Sequence, residues 1–253
     1  IKAYAPQYER FAEGGVAYGA YGFRFRNDPG FTMELKTQSR GLVGKAVSTQ
    51  ISSVITLLQE KPNTRQAVIT MWNGGDLLHA IIGDHKDLPC TLSLQFLLRG
   101  KLLHCIATMR SNDVWLGLPY DVFAFTCLQR LIADALKVKT GMYVHQVGSL
   151  HVYERNRNKI NLGMMSDTEV MSLANNMNSK DCWHAPAIPI STAAQLACDL
   201  EYRIRTGVIT NVGFDQVAGL GVGTLLCDLV LLCASKWTPT DLGLLHNPYL
   251  RMA

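Results

Sequence analysis

Apolar and polar positions along the 253-residue chain repeat with two periods, and each period predicts a different kind of element. Apolar residues at helical spacing predict helices over residues 42–60, where "KPNTR" ends the first, and over residues 120–138. Alternating or continuous apolar runs predict a strand for "QAVITMW", which "NGG" ends, and a hairpin in which "RGK" joins "TLSLQFLL" to "LLHCIATM". "GMYVHQVGSLHVYE" predicts a strand that Gly148 interrupts.

The two ends of the chain differ from this central pattern. Residues 13–30, rich in Gly, Tyr and Arg, predict a loop and a short strand that end at a Pro-Gly turn. After residue 160 the pattern is mainly helical. The most apolar stretch, residues 216–235, nearly has the length of a membrane span, but Asp228 and several glycines favour a buried core or interface helix. One large α/β or α+β domain over residues 1–253 is therefore expected, with two domains as the alternative.

Composition narrows the classes of function. The formal net charge of +4 is mild and the basic residues are scattered, which disfavours a nucleic-acid binder and suits an anionic small molecule such as a phosphate ester. Seven cysteines at irregular spacing indicate reduced thiols and a cytoplasmic protein, without a disulfide framework. Zinc-ligand spacing is also missing from the sequence, so no metal is expected.

Polar and reactive residues gather where predicted strands and loops end, which is where sites are usually built. They are Cys90, Arg110, Ser111, Asn112, Asp113, Asp121, His151 and Tyr153. Each has an ordinary explanation: a lone strand cysteine is usually a small core residue, "RSND" is a solvated turn, and His151 and Tyr153 share a strand face as a core pair. From the pattern alone, these ordinary explanations carry most of the weight.

Three motifs in a fixed order change that balance. "LPC" with Gln95 five residues after Cys90, then "MRSNDVWLGLPYD", then "GSLHVY" resemble the thymidylate synthase superfamily, and most of all its branch of phage deoxycytidylate hydroxymethylases. The resemblance covers about residues 15–156. It implies an α+β fold in which a mixed β-sheet is backed by helices. It also implies a homodimer paired through the sheets, and residues 160–253 as a mainly helical addition specific to the branch.

The resemblance implies a nucleophile and a phosphate site. Cys90 matches the thiolate that adds to C6 of a pyrimidine nucleotide, which makes C5 a carbanion that attacks the methylene of 5,10-methylenetetrahydrofolate. Arg110 matches the neighbouring cation, which would lower the thiol pKa and hold the nucleotide phosphate through its fork. Ser111 matches a second phosphate ligand. Arg65 matches an arginine that reaches the partner subunit's phosphate across a twofold axis, although Gln66 stands where a second arginine is usual.

Further matches complete the implied site. His151 and Tyr153 resemble the pair that binds the sugar 3′-hydroxyl, and Asn112 joins the nucleotide-binding set. Gln95 resembles a residue that orders the site. Tyr21 resembles the tyrosine implicated in removing the C5 proton, with Tyr18 as its rival. The implied folate-facing residues are Asp113, Leu116, Gly117 and Trp72, although Trp72 has core packing as an equal alternative.

Asp121 selects the base in this interpretation. Thymidylate synthases carry Asn at the matching place, whereas the cytidylate branch carries Asp, whose carboxylate accepts from the cytosine N4 amine. Thr91 points the same way, because thymidylate synthases have His after the nucleophile. The ordinary explanation for Asp121 is a helix N-cap. We therefore expect a hydroxymethyltransferase acting on dCMP, with CMP as an open alternative.

One departure from the family pattern leaves other functions open. The family has a catalytic Glu on a helix upstream of the tyrosine segment, and neither Glu9 nor Glu13 lies in a matching motif. Because the chain starts at Ile1, truncation is the expected explanation. Methylation of dUMP as in thymidylate synthase is one further alternative, and an inactive nucleotide-binding homologue is another.

Overall fold

The structure, a computed structural model, describes residues 6–13, 16–26, 49–83, 85, 87–158, 160, 186–188, 190–210, 217 and 219–237. The chain divides into two compact units, residues 1–157 and residues 158–253. Each unit is described by itself.

The first unit is built on a four-stranded mixed sheet. Its strands are β3 (Val68–Thr70), β4 (Thr91–Arg99), β5 (Leu102–Met109) and β7 (Lys139–Val147), in the order β3-β4-β5-β7. The first three strands are antiparallel, whereas β5 and β7 run parallel. The predicted hairpin is confirmed, and it turns at Gly100, whose φ of +60° suits a residue without a side chain. The predicted strand broken at Gly148 is also confirmed.

Helices cover one face of this sheet. Helix α2 (Gln50–Glu60) starts at the N-cap Thr49, and helix α4 (Leu118–Leu136) provides the crossover between the parallel strands. Residues 42–48 of the first predicted helix lie outside the described residues. The buried core between helices and sheet includes Leu58, Leu94, Phe96, Leu103, Cys105 and Phe125. On the opposite face Leu102 and Met142 are 42% and 64% exposed, so the sheet has one open side.

One helix contradicts the sequence predictions, and a second helix lies where none was predicted. Residues 21–26 form helix α1 (Tyr21–Arg26) where a loop and short strand were expected, and the short strands β1 (Ala12–Glu13) and β2 (Val16–Ala17) precede it. The predicted Pro-Gly turn lies outside the described residues. Helix α3 (Gly74–Ile82) starts at "NGG", because Asn73 and Asp76 form a capping box that satisfies the backbone of the first turn.

A short parallel pair completes the first unit. Strand β6 (Asn112–Asp113) pairs with β8 (Leu150–His151), so Asp113 lies opposite His151. This pairing brings the "RSND" motif to the "GSLHVY" motif, although 37 residues separate Asn112 from Ser149 along the chain. The backbone bond from Asn112 N to Ser149 O, at 3.0 Å, extends the contact.

The described part of the second unit is mainly helical, as predicted. Helix α5 (Ile190–Arg205) and helix α6 (Thr224–Ala234) pack against each other. Asp228 on α6 is fully buried, which agrees with the expectation of a core or interface helix. Within the described ranges, no helix combines the length and the hydropathy that a membrane crossing requires.

Candidate active site

Cys90 and Arg110 lie side by side at one end of the central hairpin. Cys90 directly precedes β4 and Arg110 directly follows β5, so the hairpin register brings them together. The Arg110 backbone N–H donates to the Cys90 carbonyl at 2.8 Å. Its guanidinium donates from Nε to the Pro89 carbonyl at 3.0 Å and from Nη2 to the Leu88 carbonyl at 3.3 Å. Arg110 thus holds the segment that presents the cysteine.

The Cys90 thiol is half-buried, and its surroundings act on its acidity in opposite directions. Burial raises the pKa of Cys90, the Arg110 cation lowers it, and the carboxylates of Asp121 and Asp87 raise it further. Thiolate formation at this position therefore depends on the Arg110 charge. Trp72, predicted to face folate or the core, lies beneath this cation, with the Arg110 Cζ atom 5.2 Å from its ring centroid.

Tyr21, and not Tyr18, borders this cysteine. The Tyr21 hydroxyl forms side-chain hydrogen bonds with Asp121 and Thr91, and its ring lies 5.2 Å from that of Phe125. Burial raises the pKa of Tyr21 above its usual range, and the Asp121 carboxylate and Cys90 add to the rise. The phenol is therefore protonated at neutral pH.

Tyr18 belongs to a different cluster. The Tyr18 ring stacks on the His85 ring with centroids 4.0 Å apart. The Arg24 Cζ atom lies over the Tyr18 ring, 4.1 Å from the centroid of that ring. His79 meets the same ring edge-on at 5.4 Å. The structure therefore brings the preferred tyrosine, rather than its rival, to the Cys90 neighbourhood.

Asp121 is a buried carboxylate in the first turn of α4. The Asn112 amide donates to its Oδ2 at 2.5 Å, and the Tyr21 hydroxyl provides a second hydrogen bond. Burial raises the pKa of Asp121, while the hydrogen bonds from Tyr21 and Asn112 and the nearby His145 oppose that rise. The N-cap of α4 is Gly117, so the N-cap explanation for Asp121 is wrong.

Two residues of this site escaped the sequence analysis. His145 lies on β7 with its Nε2 atom 3.3 Å from Asn112 Oδ1, and the Tyr143 hydroxyl is 2.6 Å from His145 Nδ1. Burial lowers the pKa of His145, which the Asp121 charge partly opposes. Residues 143 and 145 share one face of the strand predicted in "GMYVHQVGSLHVYE", but this alternation alone does not indicate a contact with Asn112.

Ser111, His151 and Tyr153 form a polar edge beside the parallel pair β6–β8. The Ser111 hydroxyl is 3.5 Å from His151 Nδ1. The His151 and Tyr153 rings meet almost perpendicularly, with centroids 5.1 Å apart. The predicted sugar-binding pair is thus adjacent to one predicted phosphate ligand, an arrangement that can contact neighbouring parts of a nucleotide.

The Asp113 carboxylate supports the loop that leads into α4. Its Oδ1 accepts from the backbone N–H of Trp115 at 2.9 Å and from that of Leu116, and its Oδ2 accepts from Tyr153 N at 3.4 Å. The side chains of Trp115 and Leu116 are exposed. Asp113 therefore holds the predicted folate-facing loop by accepting hydrogen bonds from the backbone of that loop, while the side chains of Trp115 and Leu116 stay exposed. A side chain at Gly117 would meet Asn112 Nδ2 at 2.8 Å.

Gln95 and Arg65 are joined at some distance from the nucleophile. The Gln95 amide donates to the Arg65 carbonyl at 2.9 Å, and the Arg65 side chain is exposed in the turn between α2 and β3. Gln95 alternates with the buried residues Leu94 and Phe96, so it lies on the open face of the sheet. Its observed contact is with the backbone that presents Arg65.

Glu9 and Glu13, which lie in no motif that matches the family's catalytic Glu, are found at the start of the described residues. Glu9 is exposed in a 3₁₀ turn, Pro6–Phe11, and Glu13 ends β1. Across the described residues, no cluster of three or more His, Cys, Asp or Glu side chains could hold a metal ion.

Comparisons with known proteins find one family for most of the chain. The family model described as thymidylate synthase matches residues 7–184, which extends past both ends of the predicted core. Among curated proteins, thymidylate synthase of Buchnera aphidicola subsp. Baizongia pistaciae is 37% identical over 110 residues, covering 43% of this chain and 39% of that protein. Thymidylate synthases of Bacillus subtilis subsp. natto and of Bacillus phage phi3T are each 31% identical over 153 residues, covering 60% of this chain and 49% of theirs.

A solved structure is also similar. Thermostable thymidylate synthase A from Bacillus subtilis aligns with a TM-score of 0.48 and 25% identity, covering 61% of this chain and 50% of that one. The chain spans about half the length, or less, of these relatives. The family match covers well over half of the sequence, so the chain belongs to the thymidylate synthase family.

Proposed function

We propose that this protein transfers a one-carbon unit from 5,10-methylenetetrahydrofolate to C5 of a pyrimidine nucleotide. The proposed substrate is dCMP and the proposed product is 5-hydroxymethyl-dCMP. The observation that carries the proposal is a buried carboxylate, Asp121, hydrogen-bonded to Tyr21 close to the Cys90 thiol. Membership of the family supports the reaction class, and the carboxylate supports cytosine as the base.

Cys90 performs the covalent step. Its thiolate adds to C6 of the base, and the electrons of the C5–C6 double bond move to C5, which becomes the nucleophile. Arg110 favours the thiolate because its cation opposes the effect of burial on the pKa of Cys90. Methylenetetrahydrofolate, when bound, supplies the methylene carbon that becomes attached to C5.

Tyr21 assists proton movement without ionising. Because burial and Asp121 raise the pKa of Tyr21, its hydroxyl stays protonated and holds the water that accepts the C5 proton. Loss of the C5 proton forms a double bond between C5 and the methylene carbon, and the bond from that carbon to the folate nitrogen breaks, so the nitrogen leaves with the electron pair. Hydroxide from water then adds to the methylene carbon, and the electrons of the exocyclic double bond move into the ring. The C6–S bond breaks, the sulfur leaves as the Cys90 thiolate, and the C5–C6 double bond is restored.

Asp121 recognises the base. Its carboxylate accepts from the exocyclic N4 amine of cytosine, and from N3 when that nitrogen is protonated. Uracil presents a carbonyl oxygen at position 4, which an ionised carboxylate repels. Asn112 and Tyr21 hold the carboxylate in place by donating to it.

The nucleotide and the folate fit the remaining groups. We assign the phosphate to Arg110 and Ser111 and the 3′-hydroxyl to His151 and Tyr153. The side chains of Ser111, His151 and Tyr153 follow one another along a single edge. The exposed side chains of Leu116 and Trp115 provide the apolar surface that a flat pterin ring requires. Of the two, Trp115 was not singled out from the sequence.

We further propose a homodimer through the open face of the sheet. Leu102 and Met142 are exposed there, and a second copy would bury them. Gln95, on the same face, holds the backbone of Arg65, whose side chain is exposed. A partner packed against this face would therefore bring its own arginine towards the phosphate.

Methylation of dUMP is the second candidate, because the relatives reported above are named thymidylate synthases. In that reaction the folate supplies a hydride as well as the methylene carbon, so dihydrofolate accumulates. In hydroxymethylation, water completes the product and tetrahydrofolate is released. The two functions therefore differ in both products.

The deciding experiment measures the mass of the nucleotide product from dCMP, CMP and dUMP with the full-length protein and methylenetetrahydrofolate. Hydroxymethylation predicts a gain of CH₂O on dCMP. A gain of CH₂ with dihydrofolate would establish methylation instead.

A second experiment tests the role of Cys90. Exchange of the C5 hydrogen of dCMP with solvent, measured without folate, should disappear in Cys90→Ser and persist in Cys127→Ser, a control cysteine on α4. Absence of exchange in the unaltered protein would indicate an inactive homologue.

A further inference from the structure

Four polar side chains form a continuous line that ends at the base-recognising carboxylate. The Tyr143 hydroxyl lies 2.6 Å from His145 Nδ1, and His145 Nε2 lies 3.3 Å from Asn112 Oδ1. Asn112 Nδ2 donates to Asp121 Oδ2 at 2.5 Å. Asn112 and Asp121 are both buried, so neither can exchange these partners for water without a penalty.

The direction of each hydrogen bond follows from the chemistry of the groups. A carboxylate only accepts, so the Asn112 amide must present its NH₂ group to Asp121 and its carbonyl oxygen to His145. That oxygen only accepts, so His145 Nε2 must carry a hydrogen. The other ring nitrogen of a neutral imidazole is then an acceptor, and it receives the Tyr143 hydroxyl hydrogen. Every donor in the line points towards Asp121.

We infer that His145 is a positioning residue for base selection: its Nε2–H fixes the orientation of the Asn112 amide, and the amide in turn keeps Asp121 an acceptor for the cytosine amine. This inference rests on the proposed function and extends it to a residue that contacts the base only through two others. Tyr143 has a supporting role, because its hydroxyl favours the Nε2–H tautomer of His145.

The reverse arrangement shows why the orientation decides the base. Without a donor at position 145, the Asn112 amide is free to rotate and turn its carbonyl oxygen towards Asp121. Two acceptors then face each other, and protonation of Asp121 relieves the repulsion. A protonated carboxyl donates a hydrogen bond to a carbonyl oxygen, which is the group that uracil presents. Loss of the His145 donor should therefore weaken discrimination in favour of cytosine.

The first test is direct and does not require turnover. Nitrogen-15 NMR of the labelled protein distinguishes the two neutral imidazole tautomers, and His145→Gln identifies the signals of that residue. The expected result is the Nε2–H tautomer at neutral pH. A dominant Nδ1–H tautomer would overturn the inference, because the ring nitrogen facing Asn112 would then lack a hydrogen.

The second test compares two substitutions at position 145. A glutamine side chain places an amide NH₂ close to the position of Nε2, so His145→Gln should keep the ratio of kcat/KM for dCMP to that for dUMP within about threefold. His145→Leu removes the donor and should lower the ratio about tenfold. Tyr143→Phe should lower it less. Thr126→Val, on the same helix as Asp121 and bonded only to its own helix carbonyls, is the control for general effects.

The outcomes separate this inference from the proposed function. If Asp121→Asn shifts the base ratio and His145→Leu does not, the inference is overturned and the proposed function stands. If the unaltered protein prefers dUMP, the proposed function is wrong and the specificity role falls with it, whatever tautomer is found. If His145→Leu does not fold, equal base ratios in Tyr143→Phe, His145→Gln and the unaltered protein, together with an Nδ1–H tautomer, overturn the inference.

Discussion

The side-chain amide of Asn112 donates a 2.5 Å hydrogen bond to the buried carboxylate of Asp121, nine residues further along the chain. The bond joins the short strand β6 to the first turn of α4. A buried carboxylate is destabilised unless donors satisfy its oxygens, and Asn112 and Tyr21 satisfy this requirement without adding a positive charge. When ionised, the Asp121 carboxylate raises the pKa of the Cys90 thiol.

The closeness of Gly117 to this pair predicts a sharp effect of one methyl group. In Gly117→Ala the new Cβ would lie 2.8 Å from Asn112 Nδ2 and 3.1 Å from the Asp113 carbonyl oxygen. Asn112 cannot move away freely, because Asp121 and His145 hold both ends of its amide. We expect a loss of about 1–3 kcal/mol in the free energy of unfolding and a lower kcat/KM for the preferred nucleotide.

Gly74→Ala is the matched control for this substitution. A Cβ at Gly74, in the first turn of α3, would meet nothing within 4 Å. Urea unfolding of both variants should therefore show a change only in Gly117→Ala. Equal midpoints for the two variants would contradict the close packing of Gly117 against Asn112.

The charge on Asp121 predicts a faster reaction of Cys90 when that charge is removed. The Asp121 carboxylate raises the pKa of Cys90, so Asp121→Asn should lower it and increase the thiolate fraction at any pH below that pKa. Alkylation by iodoacetamide, followed by mass spectrometry of the Cys90 peptide, measures this. The alkylation rate of Cys90 in the unaltered protein should rise with pH. In Asp121→Asn the same rise should occur at lower pH.

Asp134→Asn provides the comparison for this charge effect. Asp134 also lies on α4, but it forms an ion pair with Arg130 at 2.9 Å and is not among the groups that act on Cys90. Its removal should leave the alkylation curve unchanged. Identical curves for Asp121→Asn and the unaltered protein would show that the carboxylate does not act on the thiol.

The parts of the fold that the sequence predicted are those whose pattern is local. The hairpin of β4 and β5 follows from two apolar runs and a short turn, and α4 follows from apolar residues at helical spacing. Helix α1 was missed because its six residues include Gly22 and two arginines and show no amphipathic period. A buried ion pair between Arg24 and Asp76 accompanies the helix, and local pattern does not reveal such a contact.

The same distinction applies to the site. Cys90, Arg110 and His151 were singled out from the sequence because motifs in sequence order carry them, and their roles stay predictions. His145 and Tyr143 were missed because their role comes from the parallel pairing of β5 and β7, which brings residue 145 beside residue 107. A long-range contact of this kind depends on the tertiary fold, and one sequence gives no periodic signal for it.

The contact between Arg110 and Trp72 predicts a role for an aromatic ring in nucleotide binding. The Arg110 Cζ atom lies 5.2 Å from the ring centroid, a geometry worth about 0.5–2 kcal/mol. Trp72→Leu should loosen the guanidinium and raise the KM for the nucleotide about threefold to tenfold, because Arg110 is the proposed phosphate ligand. Trp72→Phe keeps a ring and should change KM less. An equal KM in all three proteins would exclude this role.

The buried pair of Arg24 and Asp76 predicts the largest loss of stability. Arg24 donates from Nη2 to Asp76 Oδ1 at 2.6 Å and from Nη1 to Oδ2 at 3.2 Å, and a further bond from Nε reaches the Tyr18 carbonyl at 2.9 Å. Both side chains are at most 1% exposed. Arg24→Met leaves the carboxylate buried without its cation, which should lower the free energy of unfolding by about 3–5 kcal/mol.

A double-mutant cycle separates the ion pair from the helix cap. Asp76 Oδ2 also accepts from the Asn73 backbone N–H at 2.8 Å, so Asp76→Leu loses both contacts. The double variant Arg24→Met, Asp76→Leu should be more stable than the sum of the single effects predicts, because no isolated charge remains buried. Urea unfolding measures all four proteins. Strict additivity would show that the two groups do not interact. Because Arg24 lies one turn after Tyr21 on α1, activity should fall in Arg24→Met even at temperatures where the protein stays folded.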